Sequence, residues 1–172
     1  THGYGITVSQ VNEVTSQGQP EMLVNNIPPT TTTDFKINRP EIYFGEKTDE
    51  YIIVNTDEKE FDYPSGSNNE ETVYEGDAGI NLSFVNKLLF SIREGSYRLL
   101  ISNNIDSNSK ILINRNIMER VSKIAPFMYF DQDAYVVVNQ DDGKMYWIIE
   151  GFTVSDRFPY SQPTDKFIEG WN

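Results

Sequence analysis

The chain has 172 residues, with 26 acidic against 14 basic residues and a formal net charge of −12. That length gives one domain with a sizeable core, and the charge argues against nucleic-acid partners and against docking on an anionic membrane surface. There is no Cys and a single His, His2, which excludes disulfides, thiol catalysis and Cys-ligated zinc and disfavours a His-based zinc site or a Ser-His-Asp triad.

Residues 1–33 show little helical or strand periodicity. Residues 5–8 and 20–24 are short extended candidates. Pro28-Pro29, followed by four Thr at 30–33, reads as an extended linker, because the prolines favour polyproline II and the threonines resist helix. This stretch is expected to be an extended N-terminal arm.

Strands are expected at 42–44, 51–54, 60–63 and 72–75, with Pro64 ending the third and 64–69 forming a loop. A helix follows, carried by Leu82, Val85, Leu89 and Ile92 at i, i+3, i+7, i+10. Asn81 or Ser83 is positioned to cap it and Gly95 to end it. Residues 97–101 fit either a short helix or a strand. Asn81-Leu82-Ser83 matches a glycosylation acceptor and carries no weight here.

The stretch 109–153 is expected to be the core unit. Ile113, Ile117, Val121 and Ile124 predict a helix over 110–125, capped by Asn108 or Ser109, with Glu119 and Lys123 as a favourable i, i+4 pair. Pro126 stops it. Tyr135-Val136-Val137-Val138 reads as a strand covered on both faces. Asp141-Asp142-Gly143-Lys144 turns it into a return strand over 145–152. The fold class is therefore α+β: mainly antiparallel sheet with two amphipathic helices packed on it, in the order ββββααββ. The core domain is expected over 34–163 and a tail over 164–172.

Candidate sites are few. Asp131 and Asp133, near Asp141 and Asp142, offer oxygen ligands for calcium, without the further ligands and Gly of an EF-hand loop. Glu60, Asp62, Glu150 and Asp156 offer carboxylate pairs of the kind glycoside hydrolysis needs. Tyr63, Trp147, Phe158 and Tyr160 offer an aromatic platform for glycan or peptide. Asp156, Arg157, Phe158 and Tyr160 form a turn after a rigid strand, the composition and placement of a binding surface. The unmatched carboxylates and missing nucleophiles point away from catalysis.

Several words of the sequence resemble a known family. Thr1-His2-Gly3-Tyr4-Gly5 and Val11-Asn12-Glu13-Val14-Thr15 carry the likeness first. Arg39-Pro40-Glu41-Ile42-Tyr43-Phe44-Gly45-Glu46 and Lys59-Glu60-Phe61-Asp62-Tyr63-Pro64 continue it. Glu119-Arg120-Val121, Ile124-Ala125-Pro126-Phe127, Tyr146-Trp147-Ile148 and Ser155-Asp156-Arg157-Phe158-Pro159-Tyr160-Ser161 complete it. Together they resemble uncharacterised protein family 0182, bacterial and archaeal multi-pass integral membrane proteins. The resemblance implies a segment of a large soluble region on the extracytoplasmic side of the cell membrane, with transmembrane helices upstream. The absence of a starting Met and the ending Gly170-Trp171-Asn172 agree with a piece of a longer protein. It brings no established activity, cofactor or catalytic residues. The expected role is a binding or assembly module without catalysis. Its partners would be the remainder of its own membrane protein and a protein or glycan at the envelope. The alternatives are a carboxylate-dependent hydrolase of envelope glycan and a calcium-stabilised structural module.

Overall fold

The computed structural model describes residues 2–155 together with 157, 159 and 161. Among them, β1 (Gly3–Tyr4), β2 (Val8–Val14), β3 (Pro20–Asn25) and β4 (Thr30–Thr31) come first. Then follow β5 (Glu41–Ile42), β6 (Ile52–Val54), β7 (Glu60–Ser65), β8 (Asn68–Thr72) and β9 (Ile80–Asn81). Two helices, α1 (Phe84–Arg93) and α2 (Arg98–Ile101), precede β10 (Lys110–Leu112) and α3 (Ile117–Ile124). The described chain ends through β11 (Tyr129–Phe130), β12 (Tyr135–Val138), β13 (Met145–Ile148) and β14 (Gly151–Phe152). Every strand pair is antiparallel, so the class is α+β. The strands divide among six small sheets of two or three strands.

The core is organised by the β6–β10–β9 sheet. Ile111 and Leu112 are adjacent in sequence and both 0% exposed. Successive strand residues point to opposite faces, so each enters a different cluster. Ile111 packs with Leu82, Phe90, Leu99 and Ile105 beneath α1 and α2. Leu112 packs with Val54 and Tyr74, backed by Tyr43, Phe44 and Ile52. On β6, Ile53 and Val54 split in the same way. Ser109 closes the end of β10, donating through Oγ to the Asn55 carbonyl at 2.9 Å.

This arrangement corrects the expected helix over 110–125. Its first turn is a strand, because Ile111 and Leu112 must be buried on opposite sides at once, which one helical stripe cannot do. Asn114 then takes a left-handed φ of 49°, and the cap is Asn116, not Asn108 or Ser109. The Asn116 side chain accepts from the N–H groups of Met118 and Glu119 at 3.0 and 3.2 Å. The Glu119–Lys123 pair forms at 3.4 Å. Arg115, 6% exposed, donates to the carbonyls of Tyr43 at 2.7 Å and Glu50 at 3.1 Å.

The expected hairpin is present, with Val136 opposite Trp147 and Val138 opposite Met145. The expectation of cover on both faces is not met. Val136, Val138, Met145 and Trp147 are half-buried, while Tyr135, Val137, Tyr146 and Ile148 face outward. The clean alternation belongs to an antiparallel pair with one solvated face, so this unit is a flank and β10 is the centre. Trp147 still pins it, donating from Nε1 to the Phe44 carbonyl at 2.9 Å.

Other boundaries move for local reasons. Pro64 does not end β7, because it falls at a register shift where a strand tolerates proline. The return strand is therefore β8 over 68–72 rather than 72–75. Residues 1–33, expected to be an extended arm with short extended candidates at 5–8 and 20–24, contain β1 paired with β5 and the β2–β3–β4 sheet, with β3 on the second of those candidates. Thr30 and Thr31 pair with Asn25 and Val24 instead of extending as polyproline. The tail 164–172 lies outside the described residues.

Helix α1 begins and ends as expected. Ser83 accepts from the Asn86 N–H at 3.4 Å, and Gly95 takes φ 63°. Its expected inward stripe is reversed, however. Only Phe90 and Ser91 are buried, and Leu82 reaches the core from before the helix. Val85, Leu89 and Ile92 face out at 62, 57 and 72% exposure.

Candidate functional site

Strand alternation assembles a polar cluster around the single histidine. Glu60 and Asp62 lie two apart on β7 and share a face. Pairing of β1 with β5, Tyr4 against Glu41, carries His2 beside them. The imidazole is 2% exposed, with Nε2 at 3.3 Å from Asp62 Oδ1 and Nδ1 at 3.7 Å from Glu60 Oε2. The Tyr43 hydroxyl donates to Glu60 Oε2 at 2.9 Å. The His2 ring lies 5.1 Å from that of Tyr43 and 6.3 Å from that of Tyr4. Tyr63 packs on Tyr4 at 5.4 Å.

A third carboxylate, Glu41, accepts at Oε1 from Arg39 Nη1 at 3.3 Å and from Thr72 Oγ1 at 3.2 Å. Arg39 also pairs with Glu75. Glu41 Oε2 and Glu60 Oε1 are buried without a hydrogen-bond partner. Burial, reinforced by the charge of Glu41 and opposed by His2, raises the Asp62 carboxyl above its ordinary value. Burial, followed by the charges of Asp62 and Glu41, pushes the Tyr4 hydroxyl up to about 12. Burial and then the hydrogen bond to Glu60 raise Tyr43 further. The cluster is rich in acceptors with unsatisfied capacity, a setting that favours a cation or a donor.

Beside it opens a cleft of about 200 Å³. It is lined by Glu41, Tyr43, Phe44 and Tyr74 together with Val136, Met145 and Trp147 of the β12–β13 hairpin. The half-buried face of that hairpin is thus a cleft wall.

The residues singled out from sequence distribute unevenly. Glu60, Asp62 and Tyr63 come together in the cluster, and Trp147 lines the cleft. Glu150 is exposed, and its carbonyl accepts from the Asp131 N–H at 2.9 Å. Asp131 and Asp133 are exposed, and Asp131 Oδ1 accepts from the Gln132 N–H at 2.6 Å. Among the described residues no group of three or more His, Asp or Glu is arranged to hold a metal ion. Asp142 serves the hairpin turn, accepting from the Lys144 N–H and the Tyr146 hydroxyl, both at 3.0 Å. Arg157 is exposed, its N–H donating to Ser155 Oγ at 3.2 Å and its carbonyl accepting from the Ser161 N–H at 3.1 Å. Asp156, Phe158 and Tyr160 lie outside the described residues.

His2, Tyr4, Arg39, Glu41 and Tyr43 escape a reading by motif. The one local signal is the period-two spacing of Glu60 and Asp62, which puts two carboxylates on one face of β7.

A second surface stands apart. Phe84, Val85, Leu88, Leu89 and Ile92 of α1, with Tyr97 and with Leu100 and Ile101 of α2, are all exposed. No helix among the described residues is long and apolar enough to cross a membrane.

Comparison with known proteins gives relatives under one description, "UPF0182 protein". The one from Alkaliphilus metalliredigens is 55% identical over 163 residues, covering 95% of this chain and 17% of the relative. Those from Clostridium kluyveri and Clostridium acetobutylicum are 54% and 53% identical, covering 96% and 95% of this chain and 18% of each relative. The chain therefore spans less than a fifth of the length of the curated relatives it matches. No solved structure matches it. The sequence model of the uncharacterised protein family UPF0182 matches residues 1–170, and the chain belongs to that family.

Proposed function

We propose that this chain is a binding and assembly module, without catalysis of its own, that docks on the remainder of its own longer polypeptide. The observation that carries this reading is the outward apolar face of α1 and α2. Phe84 at 76%, Ile92 at 72%, Tyr97 at 68% and Ile101 at 67% exposure lie within two short helices. Exposed apolar side chains concentrated in this way mark a contact site. Most of each relative's length lies beyond the matched stretch, which supports the same polypeptide as the occupant. The net charge of −12 opposes an anionic bilayer surface as the alternative. Against the envelope-glycan hydrolase, Glu60 is buried and both Glu60 and Asp62 are engaged by His2.

The family resemblance supports an extracytoplasmic location at the cell membrane. Because the chain has no Cys, one introduced thiol at exposed Val11, labelled in intact cells with an impermeant reagent, tests that location. The docking is tested by the Leu89→Glu, Ile92→Glu double variant. In the 172-residue chain it should change stability by less than ~0.5 kcal/mol per site, as exposed positions do. In the full-length protein it should lower abundance and assembly. Unchanged full-length assembly contradicts the proposal. So does a concentration-dependent dimer of the 172-residue chain that the same substitutions abolish, since a second copy then covers the face.

A further inference from the structure

We infer that the segment covering α1 and α2 is an amphipathic helix with a carboxylate placed to meet Arg98; this rests on the docking proposed above and names the chemistry of its occupant. Successive helix residues are about 100° apart around the axis. Leu99 of α2 is buried, so Tyr97 and Ile101 stand on the opposite side, at 68 and 67% exposure. On α1, Phe90 and Ser91 are buried, and Val85, Leu89 and Ile92 point outward, flanked by Phe84 and Leu88. The i, i+4 rows Phe84–Leu88–Ile92 and Val85–Leu89 are two ridges with a groove between them, into which a ridge of another helix packs. The α1 backbone is hydrogen-bonded within its own helix and offers no open ladder to an added strand. A helical occupant satisfies its own backbone and brings only side chains to the groove.

The charge around this face is opposite in sign to that of the chain. Residues 78–105 hold Lys87, Arg93 and Arg98 against Glu94 alone, in a chain with 26 acidic and 14 basic residues. Two of these cations are already engaged. Lys87 Nζ donates to the Ile105 carbonyl, and Arg93 Nε pairs with Glu94 at 3.2 Å. Arg98 is exposed, and its guanidinium has no hydrogen bond or ion pair within the structure among the described residues. It stands beside Tyr97 and three residues before Ile101, at the edge of the apolar face. A guanidinium there meets a carboxylate with paired N–H donors. A wholly apolar or basic occupant would strip its water and return no hydrogen bond. Less than a fifth of each relative is matched, so most of the polypeptide is available to supply the helix.

Photo-crosslinking of the full-length protein tests this, with p-benzoylphenylalanine placed at Val85 and, separately, at Ile92, both exposed. The two sites lie about 10 Å apart along α1. A facing helix covers that distance in about seven residues and a strand in about three. Crosslinks are expected to one segment of the same polypeptide, at points about seven residues apart, in a segment that carries Asp or Glu. Arg98→Glu should lower the yield at least about tenfold, and Arg98→Lys, which keeps the charge, much less. Arg98 is exposed, so neither variant should shift the urea midpoint of the 172-residue chain; should one do so, the crosslink spacing decides alone. Points about three residues apart, an undiminished yield in Arg98→Glu, or equal losses in the two Arg98 variants overturn this inference and leave the docking itself standing. Crosslinks only to a second copy or to lipid, or none at all, overturn the docking and this inference with it.

Discussion

Leu112→Ala should be among the most damaging truncations in the chain. Leu112 is 0% exposed at the centre strand β10 and packs between Val54 and Tyr74. Its removal leaves a cavity lined by Val54 and Tyr74, both fixed by neighbours. The Tyr74 ring lies 4.7 Å from that of Tyr43 and its hydroxyl is bonded to Ala78, so collapse is restricted. Leu→Ala at such sites costs about 2–5 kcal/mol, rising with the residual cavity. For a chain of this length each kcal/mol shifts Tm by roughly 2–4 °C, so the expected fall is about 4–20 °C. Urea unfolding followed by circular dichroism, with the slope unchanged, measures it directly. The comparison variant is Val137→Ala on the outer face of the hairpin, 38% exposed, expected to cost under ~1 kcal/mol. Equal midpoint shifts for the two variants would refute β10 as the centre of the core.

Alkaline pH should destabilise the chain through its buried tyrosines. The Tyr4 hydroxyl is held up to about 12 against an ordinary 10.0, so folding favours its protonated form. That stabilisation is fully present below pH 10 and is lost as pH rises towards 12; urea midpoints across this window should fall, less steeply for Tyr4→Phe. Gly79→Ala should cost about 1–3 kcal/mol, because Gly79 has φ +116° and a Cβ there meets Leu112 Cδ2 at 2.7 Å. Combined with Leu112→Ala the cost should be less than additive, and strict additivity contradicts that contact.

The sequence made some of this plain. The hairpin followed from a β-branched run and an Asp-Gly turn, and α1 from its period, Ser83 and Gly95. Period alone did not say which way α1 faces, because Val85, Leu89 and Ile92 form a stripe whether they meet this core or another surface. Ile111 to Ile117 misled for a related reason: a short apolar run on a strand overlaps the i, i+4 spacing of the helix behind it. The His2 cluster was legible only at Glu60, Asp62 and Tyr63, because its members lie on or beside β1, β5 and β7 and are brought together by pairings such as Tyr4 with Glu41 that no local pattern encodes. Position near a terminus also hid His2, which the structure buries to 2% exposure.

The docking of the α1–α2 face is tested most directly by thiol labelling at Leu89. A Leu89→Cys substitution places a reporter on a chain with no native Cys, at a site 57% exposed, with Val11→Cys as the control at an open position. Modification rates are compared between the 172-residue chain and the full-length protein. At Leu89 the rate should fall at least about tenfold in the full-length protein, as expected when a contact surface becomes covered, while the Val11 rate changes little. Equal rates at Leu89 in the two proteins would contradict the account.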